Sequence, residues 1–422
     1  MFNSCKPSST SSPSSESHDG NSSGPVEGRA RRVPFWMQDY EIREGLSEEE
    51  DVSAMMILTE ADPFTFEEAM KSKKWRDTMN VKIEAIELNK TWDLTILPAG
   101  VKTIGVKWIF KTKLNEIGEI DKCKARLVAN GYAQQYGIDY TEVYAPIARL
   151  DTIRLVIALS TQQGWSIFQL DVKSAFLHGD LSEEVFVQQP QGYEKKGEEH
   201  KVYKLNKVLY GLKQAPRAWY SKIEAYFAKE GFEKCYCERT LFKKSKEGGK
   251  LLIVCLYVDD LIFTGNDMSM CEEFKKLMML EFDMSNLGKM RYFLGVEVLQ
   301  NSDGIYVSQR KYVHEVLERF GMNNRNLVKN PIVPGCKLSK DEKGAKVDAS
   351  VFKQVVGSLM YLTTTRPDLM YGVSLISRFM SCPTEQHWLV AKRLLRYLKG
   401  MTSLGIFYKK GGPIQIVILL EM

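Results

Sequence analysis

The sequence predicts an α+β fold, and three observations carry that prediction. Segments whose apolar residues recur three and four positions apart alternate along the chain with short runs in which they recur every second position. The period-2 runs come as neighbouring pairs joined by turn residues, which marks antiparallel hairpins and not the regular strand–helix alternation of a parallel sheet. A chain of 422 residues that is 44% hydrophobic is also long enough to bury a large core across two or three lobes.

The elements follow in order. Residues 8–25, SSTSSPSSESHDGNSSGP, hold too little apolar surface to offset ordering entropy and are expected to form a disordered linker. A basic GRARR at 28–32 and an acidic SEEED at 47–51 read as solvated charge. The folded part is expected to begin near Pro63, where Thr65 and Glu68 have capping-box spacing and Trp75, Met79, Ile83 and Ile86 recur at helical intervals. Residues 105–130 read as a β-hairpin: Val106, Trp108 and Phe110 alternate, NEIGE turns the chain, and KCKARLVAN returns. A helix over 151–163 starts at an Asp151 N-cap and stops at Gly164, after which WSIFQLDV is a strand. Another helix follows Pro216, with Trp219, Ile223 and Phe227 on one face and Gly231 at its end. Strands around 239–244 and 251–264 come next, then a helix near 268–282 built on Phe274, Leu277 and Met278. No internal repeat is present.

Lys and Arg total 58 against 53 Asp and Glu, a net +5 that permits a polyanionic partner without demanding one. Eight cysteines sit without CxxC spacing, several in apolar runs, and read as buried thiols of a reducing compartment. Cys235 and Cys237 could open a zinc site, but the five histidines supply no second ligand pair at zinc-finger spacing. No apolar run approaches the roughly 20 residues of a membrane span, and MFNSCKPSSTSS has no apolar signal core, so a soluble intracellular protein is expected.

The chemistry concentrates in LLIVCLYVDDLIFTG, Leu251 to Gly265, where two adjacent carboxylates interrupt an apolar run. In period-2 geometry the flanks are two buried strands, so Asp259 and Asp260 belong at the hairpin tip between them. An isolated Asp-Asp is ordinarily a surface turn. Here the flanks are too apolar for an exposed hairpin, and a third carboxylate, Asp171, ends the buried strand of WSIFQLDVKSAFLHG. Carboxylates beside a dry core cost several kcal/mol each, by order of magnitude, unless a cation compensates them. Mg²⁺ prefers oxygen ligands and keeps waters and phosphates in its shell, so strand-end aspartates suit it. Polymerase and nuclease chemistry both use such a site.

Five ordered blocks go further. YVDD at 257–260, QLDVKSAFLHG at 169–179, YGLKQAPRAWY at 210–220, KARLVANGYAQQYGIDYTEVYAPIARLDTIR at 124–154 and YFLGVEV at 292–298 resemble the reverse transcriptase of copia-type LTR retrotransposon polyproteins, over residues 33–412. The resemblance implies a right-hand polymerase of fingers, palm and thumb, with an RRM/ferredoxin-like palm sheet, that copies RNA or DNA into DNA. It divides the chain into a linker and charged segment at 1–60, fingers with N-terminal helices at 61–150 and a palm at 151–300. A thumb-like segment at 301–350, a helical connection at 351–412 and an aberrant tail at 413–422 complete it.

By the same resemblance Asp171, Asp259 and Asp260 would be catalytic and ligate two Mg²⁺ ions, for which Mn²⁺ can substitute, helped by the main-chain carbonyl of Val172. The primer 3′-hydroxyl would attack the α-phosphate of a dNTP and expel pyrophosphate. Lys107 and Arg126 would hold the triphosphate, Arg126 through a bidentate fork. Ser174, Ala175, Phe176, Tyr210 and Gly211 would complete the dNTP pocket. Phe176 matches the sugar-gate position, where a ring leaves no room for a ribose 2′-hydroxyl. Tyr257, Val258, Lys213 and Pro216 would contact primer or template, and Tyr292, Phe293, Leu294 and Gly295 resemble the primer grip. The implied partners are a primed RNA or DNA template and dNTPs, with no membrane. Independently of the resemblance, alternation puts Lys107, Lys111 and Lys113 on one face of the first hairpin strand and Lys122, Lys124 and Arg126 on one face of the second.

The family's polyprotein carries capsid, protease and integrase before this region and RNase H after it, so a fragment of that arrangement is expected. From Pro413 the chain reads PIQIVILLEM. Codons for those residues can be chosen so that a neighbouring frame spells YSDSDFAGD, which resembles the opening of RNase H; a frameshift near 412 is one expected cause, and an unrelated terminus is the alternative. Two rivals to the polymerase stand beside it: a silent relic that only binds nucleic acid, and a metal-dependent nuclease, in which a sugar gate and a basic hairpin face would have no role.

Overall fold

The capping box at Thr65 and Glu68 does start the first helix of the computed structural model, which describes residues 62–114, 120–340, 344–411 and 416–419. The Ser-rich linker, the charged runs at 28–32 and 47–51, the hairpin turn at 115–119 and most of the tail from Pro413 lie outside the described residues.

Helix α1 (Phe66–Lys71) ends after one and a half turns because Ser72 is extended, and the apolar series resumes in α2 (Lys73–Leu88). That helix buries Trp75, Met79, Ile83 and Ile86, and with them Lys82. Strand β1 (Trp92–Thr95) leads to the hairpin β2 (Val106–Leu114) and β3 (Ile120–Ala129), whose Trp108, Phe110 and Leu127 share a core with the α2 stripe. Trp75 meets the edge of Phe110 with ring centroids 5.2 Å apart.

Helix α3 (Leu150–Gln163) corrects one expectation: its N-cap is Arg149, not Asp151. Leu150 packs on the same core as Ile153 one turn later, which draws it into the helix and leaves Asp151 in the first turn, facing the positive end of the macrodipole. Gly164 closes α3 in the left-handed region at φ 71°, as its position requires.

Beyond it come β4 (Ile167–Val172), β5 (Phe186–Val187), β6 (Val202–Leu205), α4 (Ala215–Lys229), β7 (Glu233–Lys234), β8 (Leu241–Lys246), β9 (Lys250–Tyr257) and β10 (Asp260–Gly265). Helix α5 (Met268–Glu281) precedes β11 (Met284–Lys289), β12 (Tyr292–Phe293), β13 (Val296–Asn301), β14 (Gly304–Ser308) and α6 (Arg310–Arg319). The chain finishes with α7 (Ala349–Leu362), α8 (Met370–Ser377), α9 (Glu385–Gly400), β15 (Gly405–Lys409) and β16 (Ile416–Leu419). Among the described residues no helix is long and apolar enough to cross a membrane.

A six-stranded antiparallel sheet in the order β11-β4-β10-β9-β8-β7 carries the acidic residues. Helices α4 and α5 cover one face, where Leu170, Leu252, Val254, Leu256, Leu261 and Phe263 join Trp219, Phe227 and Phe274. The opposite face packs Ile167, Cys255 and Ile262 against α3 and a second sheet, ordered β12-β13-β14-β15-β16. Burial on both faces explains why LLIVCLYV is apolar at every position and not only at alternate ones. It also leaves charge room only where the strands end.

Candidate active site

Strand register brings Asp171 and Asp260 together. They are direct cross-strand partners of β4 and β10, and the same row continues through Tyr257 of β9 on one side and Ser285 of β11 on the other. Opposed residues of an antiparallel pair share a face, with β-carbons about 4.5–5.5 Å apart. Both aspartates are half-buried. Gln169, two residues before Asp171 on that face, donates from Nε2 to Asp260 Oδ1 at 3.1 Å and fixes the carboxyl's orientation.

The pairing of Asp260 with Tyr257 leaves Val258 and Asp259 as a two-residue turn. Val258 sits at φ 52°, a left-handed conformation rare for a β-branched residue, so the turn is strained and needs support. Two bonds supply it. The Trp219 indole N–H of α4 donates to the Val258 carbonyl at 2.6 Å, and the Val172 N–H of β4 donates to the Asp259 carbonyl at 2.8 Å. Trp219, expected as an anchor of its helix, thus also holds the acidic turn.

Among the described residues no three His, Cys, Asp or Glu side chains converge as a ready metal cluster. What is present is a cross-strand pair of half-buried carboxylates at the ends of two interior strands, with Asp259 next in the chain on a backbone tied to β4. Two like charges set opposite each other are destabilising by themselves. Oxygen-only donors with open positions match a hard divalent cation, so the residues fit magnesium.

Beyond Val172 the chain turns through Ser174, at φ 53°, into a short 3-10 turn, Ala175–His178. Ala175 is buried, and Phe176 lies half-buried at the junction of two cores, its ring 4.7 Å from that of Tyr210. Burial, followed by the Asp259 charge, pushes the Tyr210 hydroxyl up to about 12. Lys82 of α2 reaches the same place. Its Nζ donates to Ser174 Oγ at 3.0 Å and lies 5.1 Å over the Tyr210 ring. Burial, with the Arg126 charge beside it, brings the Lys82 ammonium down to about 8. Sequence reasoning missed this residue, although the signal existed: Lys82 falls on the apolar stripe of α2, one residue before Ile83 and four before Ile86.

The hairpin register pairs the strands as follows. Lys111 stands opposite Lys124, Lys113 opposite Lys122, Arg126 opposite Ile109 and Lys107 opposite Val128, with Lys107 and Arg126 exposed. The other face holds the buried Trp108, Phe110, Cys123, Ala125 and Leu127.

Gly211, at φ 94°, is where the loop before α4 touches this hairpin. A β-carbon there would stand 2.2 Å from the Ala129 carbonyl oxygen, while the Ala129 N–H donates to the Tyr210 carbonyl at 2.7 Å. Gly211→Ala is therefore expected to destabilise the fold by at least ~2 kcal/mol; a denaturant midpoint unchanged from the parent would refute that contact. Lys213 Nζ is held by the Gln134 carbonyl at 3.2 Å and the Tyr140 hydroxyl at 3.3 Å, and Pro216 stands half-buried in the first turn of α4.

In the segment Tyr292–Gly295 the side chains part company. Tyr292 is exposed, Phe293 faces the core beside Tyr257, and Leu294 and Gly295 form a turn at φ 49° and 76°. The Tyr361 hydroxyl of α7 donates to the Leu294 carbonyl and closes over Gly295. Nothing in the sequence marks Tyr361, which stands near the end of a helix far along the chain.

Residues 89–334 match the family model described as reverse transcriptase (RNA-dependent DNA polymerase). The chain belongs to the reverse transcriptase family. It is similar to the retrovirus-related Pol polyprotein from transposon RE1 of Arabidopsis thaliana, with 39% identity over 86% of this chain and 25% of that protein. The corresponding polyprotein from transposon TNT 1-94 of Nicotiana tabacum is 36% identical over 85% of this chain and 28% of its own length. A putative transposon Ty5-1 protein of Saccharomyces cerevisiae is 31% identical over 60% of this chain and 82% of its own. This reverse transcriptase thus corresponds to the copia-type retrotransposon polyprotein region expected from its motifs, and spans about a quarter of the length of the first of these relatives.

Proposed function

We propose that this chain is the RNA-directed DNA polymerase domain of a copia-type retrotransposon, extending a primer 3′-hydroxyl with dNTPs on an RNA or DNA template. The observation that carries the reading is the cross-strand pairing of Asp171 with Asp260 beside the supported Val258–Asp259 turn. The order of elements supports a ferredoxin-like palm at 151–300: β4-α4-β9-β10-α5-β11 is a βαββαβ unit with its strands placed fourth, first, third, second. The basic hairpin and α2 then belong to fingers at 61–150, residues 301–350 to a thumb-like segment and 351–412 to a helical connection.

Asp171, Asp259, Asp260 and the Val172 carbonyl would hold the magnesium ions. Bound there, the ions supply charge to the attacking and leaving oxygens of the nucleotidyl transfer. The protein's own part is placement. Gln169 orients Asp260, Trp219 and Val172 hold the turn, Phe176 on Tyr210 floors the sugar pocket, and Lys107 with Arg126 faces the triphosphate. Lys213, Pro216, Tyr257 and the turn at Leu294–Gly295 would contact primer and template.

Primer extension on poly(rA) with oligo(dT), dTTP and Mg²⁺ tests this, with Asp259→Asn as the control. Extension abolished by that change supports the polymerase. Binding without extension identifies a silent relic, and template cleavage a nuclease. Affinity for primer–template is also expected to fall steeply with salt and to ignore sequence, because phosphate charge holds the duplex; a binding constant flat from low to moderate salt would count against the basic face.

A further inference from the structure

Lys82 is a buried lysine in the company of another cation. Only 9% of its surface is exposed, on a helix face otherwise made of Met79, Ile83 and Ile86. Among the described residues, the charged group that acts on it is Arg126 of β3, of its own sign. Its polar contact is the Ser174 hydroxyl at 3.0 Å, and the rest of its charge faces the Tyr210 ring. A desolvated ammonium beside a guanidinium is unfavourable unless an anion joins them. A methionine would fill the space and pack better, so stability does not account for a lysine here.

The three groups that Lys82 meets belong to the proposed nucleotide pocket: Ser174 opens the turn after the β4 aspartate, the Tyr210 ring lies beside that of Phe176, and Arg126 lies on the basic hairpin face. We propose that Lys82 is a further cation of the dNTP triphosphate cradle, reaching it from the fingers helix beneath and neutralised when the polyphosphate enters. The inference rests on the polymerase reading and adds a residue that its motifs do not contain. Cations then approach the polyphosphate from two elements, the exposed hairpin and the buried helix. The buried one carries greater electrostatic weight because less water screens it.

Two substitutions separate charge from scaffolding. Lys82→Met removes the ammonium and the hydrogen bond to Ser174; Lys82→Gln removes the ammonium and keeps a donor for Ser174. Both are expected to raise the KM for dTTP by about 10- to 100-fold, the range for one lost charge-assisted hydrogen bond. kcat and primer–template affinity should stay within about threefold, and Lys82→Met should melt no lower than the parent. Equilibrium binding of labelled dTTP to the protein–primer–template complex, with Ca²⁺ replacing Mg²⁺, reads the same loss without needing chemistry. A parental KM and dTTP affinity in either variant overturns the proposal, and so does a normal Lys82→Gln beside a defective Lys82→Met, which would make Lys82 a hydrogen-bonding support. Should Lys82→Met fail to fold, Lys82→Gln decides alone. Failure of the polymerase reading looks different: the parent protein itself would then extend no primer and bind no dTTP.

Discussion

Asp171→Asn and Asp260→Asn are each expected to lower primer extension by about 1000-fold or more, the upper end for losing one preorganised electrostatic partner, while primer–template binding persists. The geometry makes this a sharp test because the two carboxylates are cross-strand partners on one sheet face. An amide keeps the shape and removes one charge. If the pair existed for stability, that change would weaken the protein. Like charges placed opposite each other do not stabilise a sheet, so a variant that loses extension while its melting temperature stays near the parent's separates catalysis from support. Asp260→Asn also retains an oxygen for the Gln169 amide, whose bond to Asp260 Oδ1 is 3.1 Å long, so the local hydrogen bonding survives. Lost activity with stability kept or gained is the signature of residues that serve a bound cation. Extension within tenfold of the parent in either variant would remove that residue from the metal site.

The acidic turn was legible in the sequence because burial constrains charge so strongly. A strand apolar at every position must be covered on both faces, and β9 and β10 are, so the only tenable place for YVDD was the strand end. The basic hairpin face was legible for a similar reason: period-2 alternation fixed which side each lysine takes, and the register then set Lys111 against Lys124. Contacts between distant segments were not legible. No spacing rule says that Asp171 rather than Gln169 stands across from Asp260, since a two-residue slip keeps the same face inward. Trp219 was read as an apolar anchor, and its indole N–H reaches Val258 only because α4 crosses under the β9–β10 turn. The helix break at Ser72 and the early start of α3 at Leu150 are local choices worth little energy, so tertiary packing decided them. Lys82 was hidden by a habit of reading, because a lysine within a helical pattern is ordinarily taken as solvated.

Phe176→Val is expected to let the enzyme accept ribonucleotides, with the preference for dTTP over UTP falling about 10- to 200-fold, the range that a few carbon atoms in a pocket can command. The experiment must separate the proposed gate from plain packing. The ring packs at the junction of the two cores and rests 4.7 Å from that of Tyr210. Shortening it should therefore cost about 1–3 kcal/mol of stability as well. Loss of packing alone would slow incorporation of both sugars alike and leave their ratio unchanged. A steric gate predicts the opposite asymmetry: dTTP incorporation falls modestly, UTP incorporation rises in absolute rate, and the ratio moves because a space has opened where the 2′-hydroxyl would go. Single-nucleotide incorporation of dTTP and UTP on one primed template reads both rates together. A variant slowed equally for both would return Phe176 to the core and leave sugar selection to some other residue, of which Tyr210, tilted against the same ring, is the first to examine.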